Sequence, residues 1–513
     1  MKNAIGREIP EYIEGYGQVV PYAGAFATPP NRQRQSPPVK WNKPGESKLI
    51  AGLEAVFRRV PVKDGMTLSF HHHFRNGDGV VNMVLTTAAK LGLKNLKVAL
   101  SSIFPVHAPL IEHIQNGVVT ALDTNYMSGP VAEAVSRGLL AQPVIMRTHG
   151  GRARAIECGQ LKIDVAFIAA PAADNYGNLN GVQGPAACGS LGYAFPDAEY
   201  ADCVVAVTDH LAEYPLSPVS IPQTRVDYVV VVDRVGDPQG IVSGTTRITK
   251  EPVGLKIASL AAKVIEAAGL IQDGLSFQTG AGGASLAVAH YVRQKMEQTG
   301  VRGSFALGGI TGYLVDMLEK GLFQKILDVQ GFDLEAIRSL TANPNHLEIG
   351  AGFYASPFTS GCAVNKLDVV ILGATEIDTD FHVNVVTGSN GMIMGGSGGH
   401  SDAAAGAKLT IVVANLLRSR LPIIVDNVLT ATTPGETVDV LVTERGIAVN
   451  PGRESLRQQL TAAGLPVKTI QELKEMAEQI AEKPKAIQTG EKIVAVVEYR
   501  DGTMIDVVRQ MGD

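Results

Sequence analysis

Lys162-Ile163-Asp164-Val165-Ala166-Phe167-Ile168 returns later in the chain as Lys366-Leu367-Asp368-Val369-Val370-Ile371-Leu372, and Gly65-Met66-Thr67-Leu68-Ser69-Phe70 returns as Gly274-Leu275-Ser276-Phe277. Unbroken apolar runs rich in β-branched residues suit strands buried on both faces, as in a parallel sheet. The same two strands in the same order imply two related α/β halves, with a site in the cleft between them. Around them the pattern predicts a helix over 49–59, a strand at Thr67-Leu68-Ser69-Phe70, a helix over 80–91 and strands over 96–100, 203–207 and 228–232. Such alternation predicts open, mostly parallel sheets covered by helices.

Four segments follow. Residues 1–46 form an N-terminal arm, rich in Pro, Arg, Asn and Gln beyond residue 22 and expected to pack on a partner or a domain. Residues 47–250 make a first domain and 251–467 a second, divided where 236–252 turns polar and Gly/Pro-rich. The last segment, 468–513, reads as a helix and a hairpin turning at Asp501-Gly502, a cap on the second domain.

Two glycine loops stand out. Gly395-Gly396-Ser397-Gly398-Gly399-His400-Ser401-Asp402 leads into sequence that reads as a helix over 403–417. Gln278-Thr279-Gly280-Ala281-Gly282-Gly283-Ala284-Ser285 follows a strand and leads into a helix over 286–298. Glycines let a ligand approach the backbone, and a following helix start adds unpaired N–H donors and a favourable dipole, so each loop is a candidate anion or oxyanion site. A mobile turn is the plain alternative for either loop alone. The spacing Gly280-x-Gly282-Gly283 is not a dinucleotide fingerprint, and no Gly-Lys-Ser/Thr follows a glycine loop, which excludes nicotinamide and P-loop readings.

At 513 residues the chain exceeds the roughly 250–300 residues that one core supports. With 45% hydrophobic and 19% charged residues and 55 glycines it fits a compact α/β enzyme. A net charge of -5 offers no basic footprint for nucleic acid. Cys158, Cys188, Cys203 and Cys362 are widely spaced, which suggests a reducing cytoplasm. The first 21 residues carry charges and prolines where a signal peptide needs an apolar core, and no apolar run reaches the ~18 residues of a membrane span.

The chemistry-bearing residues cluster near the strand ends. His71-His72-His73-Phe74-Arg75-Asn76-Gly77-Asp78-Gly79 follows the first strand, where the second half has its glycine loop. Adjacent histidines on extended backbone point to opposite faces, so the three cannot ligate one metal, while Arg75 or a histidine is suited to a substrate carboxylate. Glu376 follows an apolar strand and is either a nucleophile or base or a salt-bridged strand end. Asp174-x-x-Gly177-Asn178 has the composition of a tight turn. Arg147, Arg152 and Arg154 flank His149-Gly150-Gly151 and face either an anionic ligand or the surface. Ser397 and Ser401 are nucleophiles in principle, but a serine hydrolase is not expected.

With these stretches in hand, the chain resembles the CoA-transferase family, fused into one chain, and over nearly its whole length the citrate lyase alpha-subunit family. The match rests on the 71–79 stretch, on Gly373-Ala374-Thr375-Glu376-Ile377-Asp378, on Met394 with the loop that follows it, and on Thr443-Glu444-Arg445-Gly446. The resemblance implies two CoA-transferase domains and an acyl exchange within the citrate lyase complex of citrate fermentation. Acetyl-acyl-carrier protein plus citrate would give citryl-acyl-carrier protein plus acetate. It implies no tightly bound cofactor and no metal. The CoA-like phosphopantetheine thioester would come from the acyl carrier (gamma) subunit or from CoA, and a beta subunit would cleave the citryl thioester. A homo-oligomer is expected, with neither nucleic acid nor membrane as partner.

Ping-pong CoA-transferases form a glutamyl thioester on a Ser-Glu-Asn-Gly motif, whereas the comparable stretch here is Ala306-Leu307-Gly308-Gly309-Ile310-Thr311-Gly312, without glutamate. That implies direct attack by a citrate carboxylate and a mixed anhydride, with catalysis by orientation and oxyanion stabilisation. By motif position, Gly395, Gly396, Ser397, Gly398 and Gly399 form the oxyanion or acyl loop. Thr279, Gly280, Ala281, Gly282 and Gly283 meet the carrier arm. His72, Arg75 and Asn76 hold citrate, and His400 binds substrate or orients the loop. The alternatives are a ping-pong transferase or acyl-CoA hydrolase using Glu376, and a non-catalytic sugar-acid or CoA-binding module.

Overall fold

The computed structural model describes residues 1–29, 34–242, 248–280, 282–418, 420–481 and 487–512. Two large sheets dominate it, one in each half. The first runs Met504–Met511, Thr489–Glu498, Val144–Met146, Val119–Thr124, Leu96–Leu100, Thr67–Phe70, Val165–Ala170, Cys203–Thr208, Tyr228–Val231, Leu49–Ile50. The second runs His346–Glu348, Phe323–Gly331, Gly303–Ile310, Ser276–Thr279, Val369–Gly373, Leu409–Val413, Val440–Thr443, Gly446–Val449, Val467–Lys468. Each is parallel but for one antiparallel pair, Thr489–Glu498 with Met504–Met511 and Val440–Thr443 with Gly446–Val449.

The repeated sequence does the same work in both halves. Thr67–Phe70 lies beside Val165–Ala170, and Ser276–Thr279 beside Val369–Gly373. Asp164 Oδ2 accepts from the Thr67 N–H at 2.7 Å, and Asp368 Oδ2 accepts from the Ser276 N–H at 2.8 Å. Each Lys-x-Asp thus satisfies the first donor of the neighbouring strand, which an edge of the ladder would otherwise leave unpaired. The turn composition at Asp174 also holds: its Oδ1 accepts from the Tyr176 and Asn178 N–H groups, and Asp378 repeats the device with Asp380 and His382.

Three expectations are corrected. The helix expected over 49–59 begins only at Leu53, because Leu49–Ile50 pairs with Tyr228–Val231 at the sheet edge. The helix expected over 403–417 is His400–Gly406, followed by the strand Leu409–Val413; Gly406 ends the helix, and β-branched Thr410, Ile411, Val412 and Val413 enter the sheet. The C-terminal hairpin does not cap the second half. Thr489–Glu498 pairs in parallel with Val144–Met146 and extends the first sheet, while the preceding helix Ile470–Ile480 packs on strands of the second half.

The arm follows the hairpin. Pro21 bridges to Met504, and Tyr22 is buried edge-on against Tyr499 with its hydroxyl donating to Glu436 at 2.6 Å. One apolar cluster joins Ala153 and Tyr193 of the first half to Tyr354, Leu372 and Ala403 of the second, so the halves share a core where their strand ends meet. Among the described residues no helix is long and apolar enough to cross a membrane.

Candidate active site in the cleft

The strand ends of both halves open on a cavity of about 400 Å³. From the first half come His72, Arg75, Phe104, His149 and Tyr193; from the second come Gln278, Thr279, Gly309, Phe332, Tyr354 and the 396–400 stretch. The alternation that sets the histidines apart gives each its own place. His72 lines the cavity, His71 Nε2 lies 3.2 Å from Asp197 Oδ2, and His73 Nε2 lies 2.8 Å from the Ala169 carbonyl oxygen. His72 Nδ1 is 2.6 Å from Ser101 Oγ, and its carbonyl accepts from Gln330 Nε2 at 2.9 Å, a bond between the halves.

Arg75 is buried, with left-handed backbone at φ 52°. Its guanidinium lies over Phe104 at 5.4 Å and Phe332 at 4.9 Å, two cation–π contacts, one from each half. Asn76 points elsewhere: it is exposed, its Oδ1 accepts from the Val106 N–H at 3.0 Å, and it does not line the cavity. A citrate contact by Asn76 therefore has no geometric support. The other arginines face neither a ligand nor the surface. Arg152 forks Asp197 with two contacts of 2.7 Å, Arg147 pairs with Asp123 and Glu498, and Arg154 donates to Gln160.

The 395–399 loop is locked between the halves. The Met127 N–H donates to the Gly395 carbonyl at 3.1 Å, the Gly398 N–H to Asn125 at 3.2 Å, and the His149 N–H to the Gly398 carbonyl at 2.8 Å. A Cβ on Gly396 would fall 2.2 Å from the Asn125 carbonyl oxygen, and one on Gly399 2.4 Å from the Tyr354 hydroxyl. Gly396 and Gly399 are glycine because neighbouring groups occupy their Cβ positions. Asp402 completes the lock, accepting from the Thr148 hydroxyl at 2.9 Å and the Gly150 N–H at 2.8 Å. His400 positions rather than reaches: its Nδ1 is 2.7 Å from Thr433 Oγ1 and its Nε2 2.9 Å from the Gly373 carbonyl.

The second loop is open. Thr279, Gly280 and Gly282 line the cavity, and a Cβ on Gly282 would meet only Ser285 Oγ, at 3.7 Å. Gly283 begins the helix Gly283–Thr299. Ala281 lies outside the described residues.

Burial sets the electrostatics. It holds His72 well below its ordinary pKa, with repulsion from His149 and Arg75 adding, and it lowers His400 to about 4 and His149 to about 3. Tyr193 and Tyr354 are pushed up by the same desolvation, so both phenols keep their protons. Among the described lining residues Arg75 is therefore the one cation, set among neutral donors. Such a site favours an anionic substrate and developing negative charge over proton transfer.

No glutamate stands among the described lining residues of the cavity. A Cβ at Gly309 would lie 2.1 Å from the Phe332 ring, so that point on the strand has no room for a side chain. Glu376 is not among the cavity-lining residues; its Oε2 accepts from Asn384 Nδ2 at 3.0 Å and the Leu429 N–H at 3.1 Å, holding the strand Glu376–Asp378 to its neighbours. Its catalytic assignment finds no geometric support. The sequence reading gave no role to His149, Tyr193, Tyr354 or Phe332 and named Gln278 only as the head of the second loop; they become wall residues only when the halves meet.

Two open, mostly parallel sheets in one chain, with a cleft at the strand ends and glycine loops on its wall, define a fused CoA-transferase-type protein. A chain of a Pseudomonas malonate decarboxylase hetero-tetramer, solved in complex with malonate, shares this fold, at TM-score 0.64 and 18% identity over 85% of this chain and 86% of that one. A much nearer likeness is a putative alpha subunit of citrate lyase from Streptococcus mutans, solved in complex with citrate: TM-score 0.96, 51% identity, all of both chains covered. The citrate lyase alpha chain of Klebsiella pneumoniae is 50% identical over 511 residues, 100% of this chain and 99% of that one. That of Escherichia coli K12 is 51% identical over 487 residues, 95% and 94% of the two chains. Residues 46–511 match the family described as citrate lyase, alpha subunit. The chain belongs to the citrate lyase alpha-subunit family, transferases that act within the citrate lyase complex.

Proposed function

We propose that the cavity exchanges acyl groups between acetate and citrate on a carrier thioester, without a covalent enzyme intermediate. The observation that supports it most directly is the cavity itself, in which Arg75, neutral donors and both glycine loops converge while Phe332 fills the space at Gly309. The relative solved with citrate, at 51% identity, supports citrate as the acid.

A citrate carboxylate oxygen attacks the acetyl thioester carbon. The C–O bond forms, the C–S bond breaks, and the carrier thiolate leaves a mixed acetic–citric anhydride. The thiolate then attacks the citryl carbonyl; the C–S bond forms, the C–O bond breaks and acetate departs. No proton moves in the sum, which suits a wall of neutral donors. His72 and Arg75 orient citrate, the 395–399 loop faces the developing oxyanions, and Thr279, Gly280 and Gly282 receive the thioester arm. The phosphopantetheine-like arm would be borne by the acyl carrier subunit or by CoA, with no cofactor held tightly by this chain. A beta subunit would cleave the citryl thioester, the chain would associate with copies of itself, and the complex would work in the cytoplasm.

Mass spectrometry of the chain incubated with acetyl-CoA and citrate tests the reading. The expected result is citryl-CoA and acetate with unchanged protein mass. A CoA adduct on the protein would overturn direct transfer, and no citryl thioester with either CoA or the acyl carrier would overturn the exchange.

A further inference from the structure

One imidazole on the cavity wall has had no role so far. His149 is the first residue of the nine-residue helix His149–Glu157, whose cap is Thr148 Oγ1 accepting from the Gly151 N–H at 2.7 Å. Its own backbone N–H is tied to the Gly398 carbonyl, and a Cβ on Gly398 would lie 3.3 Å from Nε2, so the Nε2 edge of the ring faces the 395–399 loop. The ring is held by Tyr193, at 4.4 Å between centroids, and by His72, stacked at 5.3 Å and 12°. Nδ1 is buried without a hydrogen-bond partner among the described residues.

Burial and the Arg152 guanidinium lower this imidazole to a pKa of about 3, so it is neutral and carries a single N–H. Its place at a helix N-terminus disfavours the cation further. Orphaned buried N–H groups are rarer than under-satisfied acceptors, so the proton belongs on Nε2 and the bare lone pair on Nδ1. The donor then points at the Gly398 side of the cavity.

We propose that His149 is a catalytic residue of the exchange, its Nε2–H donating a hydrogen bond to the carbonyl oxygen that becomes negative as each tetrahedral adduct forms beside Gly398. The inference rests on the acyl-exchange reading above. The donor keeps its proton throughout: the thiolate and then acetate leave as anions, and the bond to His149 strengthens only while the oxygen is charged.

Three variants of the full chain test it, with acetyl-CoA and citrate as substrates. His149→Gln places an amide nitrogen near Nε2, His149→Asn places one near Nδ1, and His149→Ala has none. The expected pattern is a kcat loss of about 100- to 1,000-fold for Ala and Asn with the citrate KM little changed, and recovery of at least about tenfold by Gln. Melting curves and calorimetric citrate binding for each variant report whether the site is intact; if Ala fails to fold, the Gln and Asn pair still decides. Gln no faster than Asn would overturn the Nε2 donor, as would an Ala variant with wild-type kcat or a defect confined to KM. A wild-type chain that makes no citryl thioester would fail the exchange reading itself, whereas a wild-type chain that does, beside an unimpaired Ala variant, fails only the assignment of His149.

Discussion

The 395–399 and 279–283 loops look alike in sequence and end in opposite states. The first is hemmed in by Asn125, His149 and Tyr354; a Cβ at Gly395, Gly396 or Gly399 would meet a carbonyl oxygen or a hydroxyl, while Gly398 takes left-handed backbone at φ 49°. The second keeps its Cβ space open at Gly282. Their helices differ as well: His400–Gly406 spans seven residues, whereas Gly283–Thr299 spans seventeen. The longer helix has the more complete dipole and its start lies at the open loop, so an anionic arm is better received there, while the short, pinned loop suits a fixed oxyanion contact. Glycine can therefore mark either a space left free or a space already taken.

The largest effect should come from Gly396→Ala. Its Cβ meets a carbonyl oxygen at 2.2 Å, so the loop must move off Asn125. We expect a kcat loss above about 100-fold and a loss of about 1–3 kcal/mol in denaturant unfolding. A near-normal variant would break the contrast at once. Next comes Arg75→Ala, which removes the cation that shares the cavity with both loops. The citrate KM should rise by roughly 10- to 100-fold, the value of a charged hydrogen bond, and an unchanged KM removes the carboxylate role.

Asp402→Asn probes the lock by pH. Burial raises the Asp402 carboxyl from 3.8 to about 6, so the folded chain holds this proton more tightly than the unfolded chain does. Its contribution to stability is full below about pH 4 and is lost as pH rises through about 6, at roughly 1.4 kcal/mol per pH unit. Because the Asn variant lacks that contribution, the stability gap between wild type and variant should shrink from pH 4 to pH 6 in unfolding titrations. A constant gap would mean that Asp402 titrates normally. The smallest effect is expected of Gly282→Ala, at φ -74° with open space around it. Stability should shift by less than about 1 kcal/mol. The KM for acetyl-CoA should rise a few-fold while that for citrate stays put, and a cost equal to that of Gly396→Ala would erase the distinction between the loops.

The paired strands around Asp164 and Asp368 were legible because a buried parallel strand needs an unbroken apolar run and an acceptor for its neighbour's first N–H, both local requirements. His72 and Arg75 were legible as site candidates from their place at a strand end. Glu376 and Asn76 had the same local standing, yet their partners, Leu429 for one and Val106 for the other, lie outside any sequence window. The C-terminal hairpin was read correctly as a hairpin and assigned to the wrong half, since alternation names a strand's faces but not the sheet whose edge it joins.

Two α/β halves, their parallel strands and the places where loops carry glycine were determined by sequence alone, because hydrophobic period and backbone freedom are properties of neighbouring residues. Which histidine faces the cleft, why Gly309 bears no side chain and where the hairpin docks were decided only in three dimensions. Those outcomes depend on burial and contacts between residues far apart in the chain, and a histidine held as far below its ordinary pKa as His149 exists only after water has been excluded around it.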